Sequence, residues 1–293
     1  MKKFISILIV CLINSSVNVN AQRLDAYLIF TGKGEEVNFS QFAEKIVDAE
    51  IILFGELHDN PIAHWLQLET TILLHQKHNQ QLMLGAEMFE TDNQLILNEY
   101  LTGLIPQKRF EEEARLWPNY KTDYKPLVEF AKENNLPFIA TNIPRRYAAM
   151  VSSGGFESLE NLTVEAKKFV APLPVEYDAE LPGYKAMLSM MGMPGKGGND
   201  PQNLPKAQAI KDATMAWNIA QNLKQEKHFI HFHGTYHSNN YEGIVWYLKK
   251  YKPESRIVTI ATVLQSNLGK LDDENLGLAD FIVVVPERMT RTH

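Results

Sequence analysis

Short apolar runs alternate with stretches of helical spacing along most of the chain. Ile51–Phe54 is a continuous, β-branched apolar run, too short for a helix, and reads as a buried strand. Gln81–Ala86, Pro137–Ala140, His228–Phe232, Arg256–Val263 and Phe281–Val285 read as strands too. Tyr27–Phe30 and Val37–Phe39 flank Thr31-Gly32-Lys33-Gly34-Glu35, which predicts a hairpin with glycines at its turn. Between the strands the period changes. Phe42, Ile46 and Ala49 share one face of a helix predicted over Phe39–Ala49, with Ser40 as its cap. Pro61 takes the favoured first position of a helix running to Lys77. Further helices are expected from Thr91 or Asp92 to Tyr100, over Gln107–Arg115 and Asp123–Asn134, from Pro144 onward, and near Tyr241–Tyr251. This alternation predicts an α/β fold: a mainly parallel sheet with helices on both faces.

Segment 152–205 breaks the rhythm. It is rich in Gly, Pro and Met and reads as a small helical insert in a single α/β domain spanning 22–293. The pattern over 205–227 leads back to the sheet. No internal repeat of fixed period is visible. The first 21 residues stand apart. Lys2 and Lys3 precede the apolar run Phe4–Ile13, and Val19-Asn20-Ala21 places small residues before Gln22. That is the layout of an export signal, with the periplasm as the expected destination. Cys11, the one cysteine, lies in that run. The mature chain then has no disulfide and no thiolate metal site. Cys11 also opens a lipid-anchored alternative, although Val10 stands where a small residue is usual.

The 293 residues carry 29 basic and 35 acidic side chains, a net charge of −6. Removing Lys2 and Lys3 leaves 27 basic against 35 acidic, a net of −8. That balance argues against nucleic acid as a partner. With 45 % hydrophobic and 22 % charged residues the chain is neither disordered nor of low complexity. It has no uninterrupted apolar stretch of membrane-spanning length, and no Gly-rich phosphate motif.

Polar groups recur where strands end. Gly55-Glu56-Leu57-His58-Asp59 follows one strand and Glu87 another. Thr141-Asn142-Ile143-Pro144-Arg145-Arg146 follows a third, and His233-Gly234-Thr235-Tyr236-His237 a fourth. Ligands of open parallel sheets bind outside the carboxyl ends of strands. Glu56, His58, Glu87, Arg145 and His237 are therefore expected at one crevice. Plainer roles exist for each: Glu56 as a helix-terminal charge, Glu87 and Arg145 as a structural ion pair, either histidine as a loop residue. His58 and His237 each close a Gly-x-x-His pattern. His and Glu together suit a divalent metal such as zinc, or an iron centre. His64, one turn into its helix, faces either the crevice or the sheet. His231 and His233 share a strand face by period two, with at least one expected in the core.

Several segments together resemble the ChaN-like haem-binding uptake family. They are Gly55-Glu56-Leu57-His58-Asp59-Asn60 with His64, Gly85-Ala86-Glu87-Met88-Phe89, and Asn142-Ile143-Pro144-Arg145. Ala207-Gln208, Asp212-x-x-Met215-Ala216, Gly234-x-x-His237 and Gly243-Ile244 complete the set, over about residues 25 to 263. The resemblance implies an envelope protein of iron or haem acquisition, an α/β fold with a small helical subdomain, and a homodimer holding two haems face to face. It also implies iron ligation by a tyrosine, a histidine of the opposite subunit at the propionates, and an outer-membrane haem receptor as a possible partner. His58 and Glu56 carry over by motif; the ligating tyrosine does not. The wider superfamily includes erythromycin-esterase-like and TIKI-like proteins, whose Gly-x-x-His motifs accompany metal-dependent hydrolysis.

Haem chemistry then orders the candidates. Phenolate favours ferric haem. Tyr184 is the first candidate for iron, with Tyr177 and Tyr147 as alternatives. Tyr184, Met187 and Met191 fall on one helical face at spacings of three and four, and Met adapts to flat apolar surfaces. A Met-rich core helix is the plainer account of that face. Arg145 or Arg146 suits a propionate. His58, Glu56, His64, Arg145, Tyr184, Met187 and Met191 are thus the expected haem-site residues. The second reading is a hydrolase in which His58, His237 and Glu56 or Glu87 hold Zn or Mn and a remaining carboxylate acts as general base. A third is a periplasmic binding module for another ligand.

Overall fold

The computed structural model describes residues 24–190 and 200–293. The export-signal reading of 1–21, Cys11 and Met191 lie outside them. Eight strands form one sheet: β1 (Leu28–Thr31), β2 (Glu36–Val37), β3 (Ile51–Glu56), β4 (Leu82–Glu90), β5 (Phe138–Asn142), β6 (His228–Gly234), β7 (Ile257–Gln265) and β8 (Phe281–Pro286). The helices are α1 (Phe39–Ile46), α2 (Pro61–His78), α3 (Gln94–Leu101), α4 (Gln107–Glu113), α5 (Lys125–Glu133), α6 (Arg145–Gly154), α7 (Val164–Lys167), α8 (Pro182–Met190), α9 (Asn203–Asn222) and α10 (Ile244–Tyr251). The sheet order is β2-β1-β8-β7-β3-β6-β4-β5. From β8 to β5 every pairing is parallel; β1 pairs antiparallel with β8 and with β2. The α/β reading with helices on both faces holds.

Alternation along β3 builds both layers. Ile52 and Phe54 enter the core shared with α1, α2, α3 and α5. Ile51 and Leu53 enter the core shared with α9 and α10. The chain passes from β3 to β4 and β5, then returns to place β6 between β3 and β4. It next crosses to β7 on the far side of β3. The ends of β3 and β6 therefore lie side by side where the winding reverses, the ordinary position of a ligand crevice. Within 152–205 the described residues form turns and short helices. Val170 and Leu159 pack with α6 and with Ala207 and Ile210 of α9. Among the described residues no helix is long and apolar enough to cross a membrane.

Local chemistry moves several predicted boundaries. Asn38, not Ser40, caps α1: its side chain accepts from the Gln41 backbone, and the Gln41 side chain accepts from the Asn38 N–H. Strand β4 runs past Ala86 to Glu90 because Met88 and Phe89 are buried in the core. Neither Thr91 nor Asp92 caps α3. The Thr91 hydroxyl donates to the Phe169 carbonyl, and Asp92 accepts from Arg115 and Arg146. A turn of 3₁₀ helix, Thr91–Asn93, intervenes instead. A π-helical turn, Tyr120–Tyr124, precedes α5.

Candidate functional site

Two carboxylate–histidine clusters stand at the carboxyl ends of β3, β4 and β6. The first is built on Glu56, the last residue of β3, 1 % exposed. Its Oε1 accepts from His58 Nδ1 at 2.9 Å and from the Tyr124 hydroxyl at 2.8 Å. Its Oε2 accepts from Gln67 Nε2 at 2.6 Å. The His58 carbonyl accepts from His64 Nε2 at 3.1 Å and from Asn119 Nδ2 at 2.8 Å. His64 is therefore buried against the crevice cluster and orients the loop that carries His58. Burial opposes charge on Glu56, but the bond from His58 and the nearby His64 hold its carboxyl below the ordinary range. Burial likewise opposes charge on His58, and Glu56 and Glu87 outweigh it, raising the imidazole above its usual value.

The second cluster is built on Glu87, which falls within the register shift of β4 against β5. A bulge of this kind re-aims a side chain at a site. Glu87 Oε2 accepts from the Gly234 N–H at 2.8 Å, and Oε1 from His237 Nε2 at 3.2 Å. His237 Nδ1 bonds Asp212 of α9, whose other oxygen accepts from the Tyr184 hydroxyl at 2.8 Å. Burial works against charge on His237, yet its two carboxylates push the imidazole up to about 10. Burial also works against Glu87, yet His237 holds its carboxyl well below the usual range. Burial pushes the Asp212 carboxyl upward, more than His237 pulls it down. Glu87 is thus the firmer anionic partner of His237. Burial and then Asp212 push the Tyr184 phenol far up, so Tyr184 acts here as a proton donor.

The two Gly-x-x-His patterns make room for one another. A Cβ on Gly55 would lie 2.7 Å from the Thr235 Cα, and one on Gly234 would lie 2.8 Å from His58 Nε2. Register explains it, since Glu56 pairs with Gly234 across parallel strands. The resulting crevice, about 430 Å³, is lined by His58, Thr235, Tyr236, His237 and His293. His58 has a side chain 38 % exposed, and its ring meets Trp117 edge-on at 4.9 Å. Trp117 also lines a neighbouring cleft of about 980 Å³ with Leu116, Pro118, Arg115, Arg145 and Arg146. Arg115 pairs with Glu90 and Asp92, and Arg146 with Asp92 at 2.6 Å. Arg145 is exposed and has no ionic partner among the described residues. The Glu87–Arg145 ion pair does not form.

Glu56, His58, His64, Glu87 and His237 are thus brought together, with Arg145 one cleft away. Tyr184 is buried on α8 behind Asp212. Met187 is half-buried on the same helix. Tyr177 sits 5.6 Å from the Tyr184 ring, and Tyr147 lies beneath the Arg146 guanidinium. His231 and His233 are both fully buried, their Nδ1 atoms 3.1 Å apart. The Zn or Mn alternative, His58 and His237 with Glu56 or Glu87, finds no support in this arrangement. Among the described residues no three His, Asp or Glu stand as a metal-holding group. Both nitrogens of His237 are taken by carboxylates, and Nδ1 of His58 by Glu56.

Sequence reasoning left Asp212, Gln67, Asn119, Trp117 and Tyr124 without roles. Asp212 carried a signal of its own: an acid at the helical spacing of Ala209, Ala213 and Ala216 on α9. Trp117 precedes the π-helical turn and Tyr124 closes it, and no sequence period marks them.

The family model described as haem-binding uptake, Tiki superfamily, ChaN matches residues 42–248, and the chain belongs to that family. The solved structure titled as cofacial haem binding to ChaN of Campylobacter jejuni shares the fold. It has a TM-score of 0.65 and 16 % identity, over 88 % of this chain and 96 % of that one. A mutant erythromycin esterase in its open conformation reaches a TM-score of 0.47 at 12 % identity, over 88 % and 82 % of the two chains. Protein RETICULATA-RELATED 5, chloroplastic, of Arabidopsis thaliana is 26 % identical over 135 residues, 44 % of this chain. The match spans only 18 % of that relative's length.

Proposed function

We propose that this family member binds haem at the mouth shared by the His58 crevice and the Trp117 cleft, in the service of iron or haem acquisition. The observation that carries the reading is the cleft itself. It sets the apolar side chains of Trp117, Leu116 and Pro118 beside Arg145, a guanidinium with no ionic partner among the described residues. A macrocycle with an apolar face and anionic propionates matches that pairing. His58 adds an Nε2 that Glu56 leaves free. Haem would supply a ferric centre, for which a phenolate is a suitable protein ligand. Tyr184 is the iron ligand expected from sequence, and its hydroxyl is engaged by Asp212 in this structure. Tyr236, 37 % exposed, already lines the crevice. The reading includes a homodimer with haems face to face, export to the periplasm with lipid anchoring as the alternative, and delivery from an outer-membrane haem receptor. Titration of residues 22–293 with haemin tests it, following the visible spectrum and the mass in solution. Saturable binding with a ferric tyrosinate band and doubled mass is expected. Loss of the band in one of Tyr184→Phe or Tyr236→Phe names the ligand. A free-haemin spectrum throughout refutes the reading.

A second reading rests on the Glu56–His58 pair alone. Nδ1–H donated to a carboxylate leaves Nε2 as a proton acceptor facing the crevice, the arrangement of a general base for hydrolysis. Its rate would climb with pH as the raised imidazole loses its proton. Ester and amide screening against a His58→Ala control tests it; equal background in both proteins removes it.

A further inference from the structure

After β8 the chain makes one turn, with the Met289 N–H bonded to the Pro286 carbonyl at 3.0 Å, and then runs without regular structure to His293. Those last residues reach the β3–α2 loop and the π-helical turn. The Arg291 guanidinium reaches Asp59 Oδ2 at 2.9 Å. The Thr292 N–H donates to the Asp59 carbonyl at 3.0 Å, and its hydroxyl donates to Asp123 Oδ2 at 2.7 Å. Asp59 follows His58 directly, and Asp123 belongs to the π-helical turn beside Tyr124. His293, next in the chain, lines the crevice with His58 and His237.

We infer that residues 289–293 form a removable strap over the His58 crevice, latched at Asp59 and Asp123, which controls access of a ligand to His58. This rests on the reading of that crevice as a ligand site. Three features make the latch reversible. Its ion pair is exposed and salt-screened. No strand or helix pairing holds the segment down. Asp123 stays bonded to Asn119 at 2.6 Å when Thr292 departs, so release strands no buried charge. The two anchors lie on separate elements, the β3–α2 loop and the π-helical turn. A ligand that pushes those elements apart breaks both.

The test reads His58 directly and needs no haem. Diethyl pyrocarbonate modifies accessible imidazoles, and peptide mass analysis reports the rate at His58. The variant R291A/T292V and a deletion of residues 289–293 are each expected to raise that rate about five- to tenfold. High salt accelerates the intact protein by less and leaves the deletion unchanged. His293→Ala alone shows whether that ring provides the shielding. Thermal midpoints near wild type confirm that the variants fold. Equal His58 rates in all proteins overturn the strap. Haemin association measured in parallel separates the two ideas. Faster His58 modification without haemin binding refutes the haem reading and keeps the strap. Normal haemin binding with unchanged His58 rates does the reverse.

Discussion

His58 and His237 arise from the same four-residue pattern, one strand apart, yet they are built for different work. His237 is buried between two carboxylates, both nitrogens engaged. His58 keeps one carboxylate, one free nitrogen and a partly open ring. The difference comes from elements distant in sequence. Asp212 arrives on α9 and Glu87 from the bulge in β4, while the open side of His58 meets Trp117 and, across the crevice, His293. A shared motif thus fixes where a side chain stands, and its neighbours decide whether it holds the fold or meets a ligand.

The comparison breaks most sharply at His237. His237→Ala leaves Glu87 and Asp212 facing each other without a cation and is expected to cost about 3–5 kcal/mol in urea unfolding. His58→Ala should cost less, about 1 kcal/mol, since that ring is partly solvated and Gln67 and Tyr124 still bond Glu56, while weakening haemin binding. Similar losses from both substitutions would erase the distinction.

pH sharpens it next. The folded His237 titrates near 10 against an ordinary 6.5. The stability it contributes is fully present below about pH 6.5 and is lost as pH rises through about 10. Glu87 acts in the opposite direction. Its stabilisation is present above about pH 4.5 and is lost as pH falls through its depressed value. Urea midpoints should therefore decline on the alkaline side in the wild type, and His237→Gln should flatten that decline.

A smaller effect is expected where the two loops touch. Gly234→Ala pushes a methyl against His58 Nε2 and should cost about 1–3 kcal/mol. It should weaken haemin binding through His58 with the His237 cluster still folded, as judged by near-UV dichroism. The least disturbance falls on the cleft. Arg145→Ala should leave stability within about 0.5 kcal/mol and lower haemin affinity about three- to tenfold, the worth of one partly solvated charge-assisted bond. Calorimetry checks both.

The layered fold was legible because β3 and β8 open as continuous apolar runs, β6 sets Phe and Ile among its histidines, and α2 opens on proline. The crevice was legible because Glu56, His58 and His237 stand where those strands end. What stayed hidden depended on long-range contact. Glu87 was placed after its strand, yet it lies inside β4, since buried Met88 and Phe89 carry the pairing onward. The helix at Thr91 had plausible caps, but Thr91 and Asp92 found partners 78 and 23 residues away. Tyr184 shared a face with Met187 in the sequence pattern. The buried Asp212 carboxylate claims its hydroxyl instead, and only the return of α9 brings that group near.

The antiparallel pairing of β1 with β8 carries a consequence for how the molecule is made. Leu28 meets Val284 across that ladder, so β1 waits for β8, about 250 residues later, before it has its central neighbour. A chain emerging amino end first can pair Leu28–Thr31 early only with the two-residue β2, and its other edge stays open until β8 is available. Assembly is then late and all-or-none at that edge. Any chaperone that accompanies the nascent chain has a defined segment to shield.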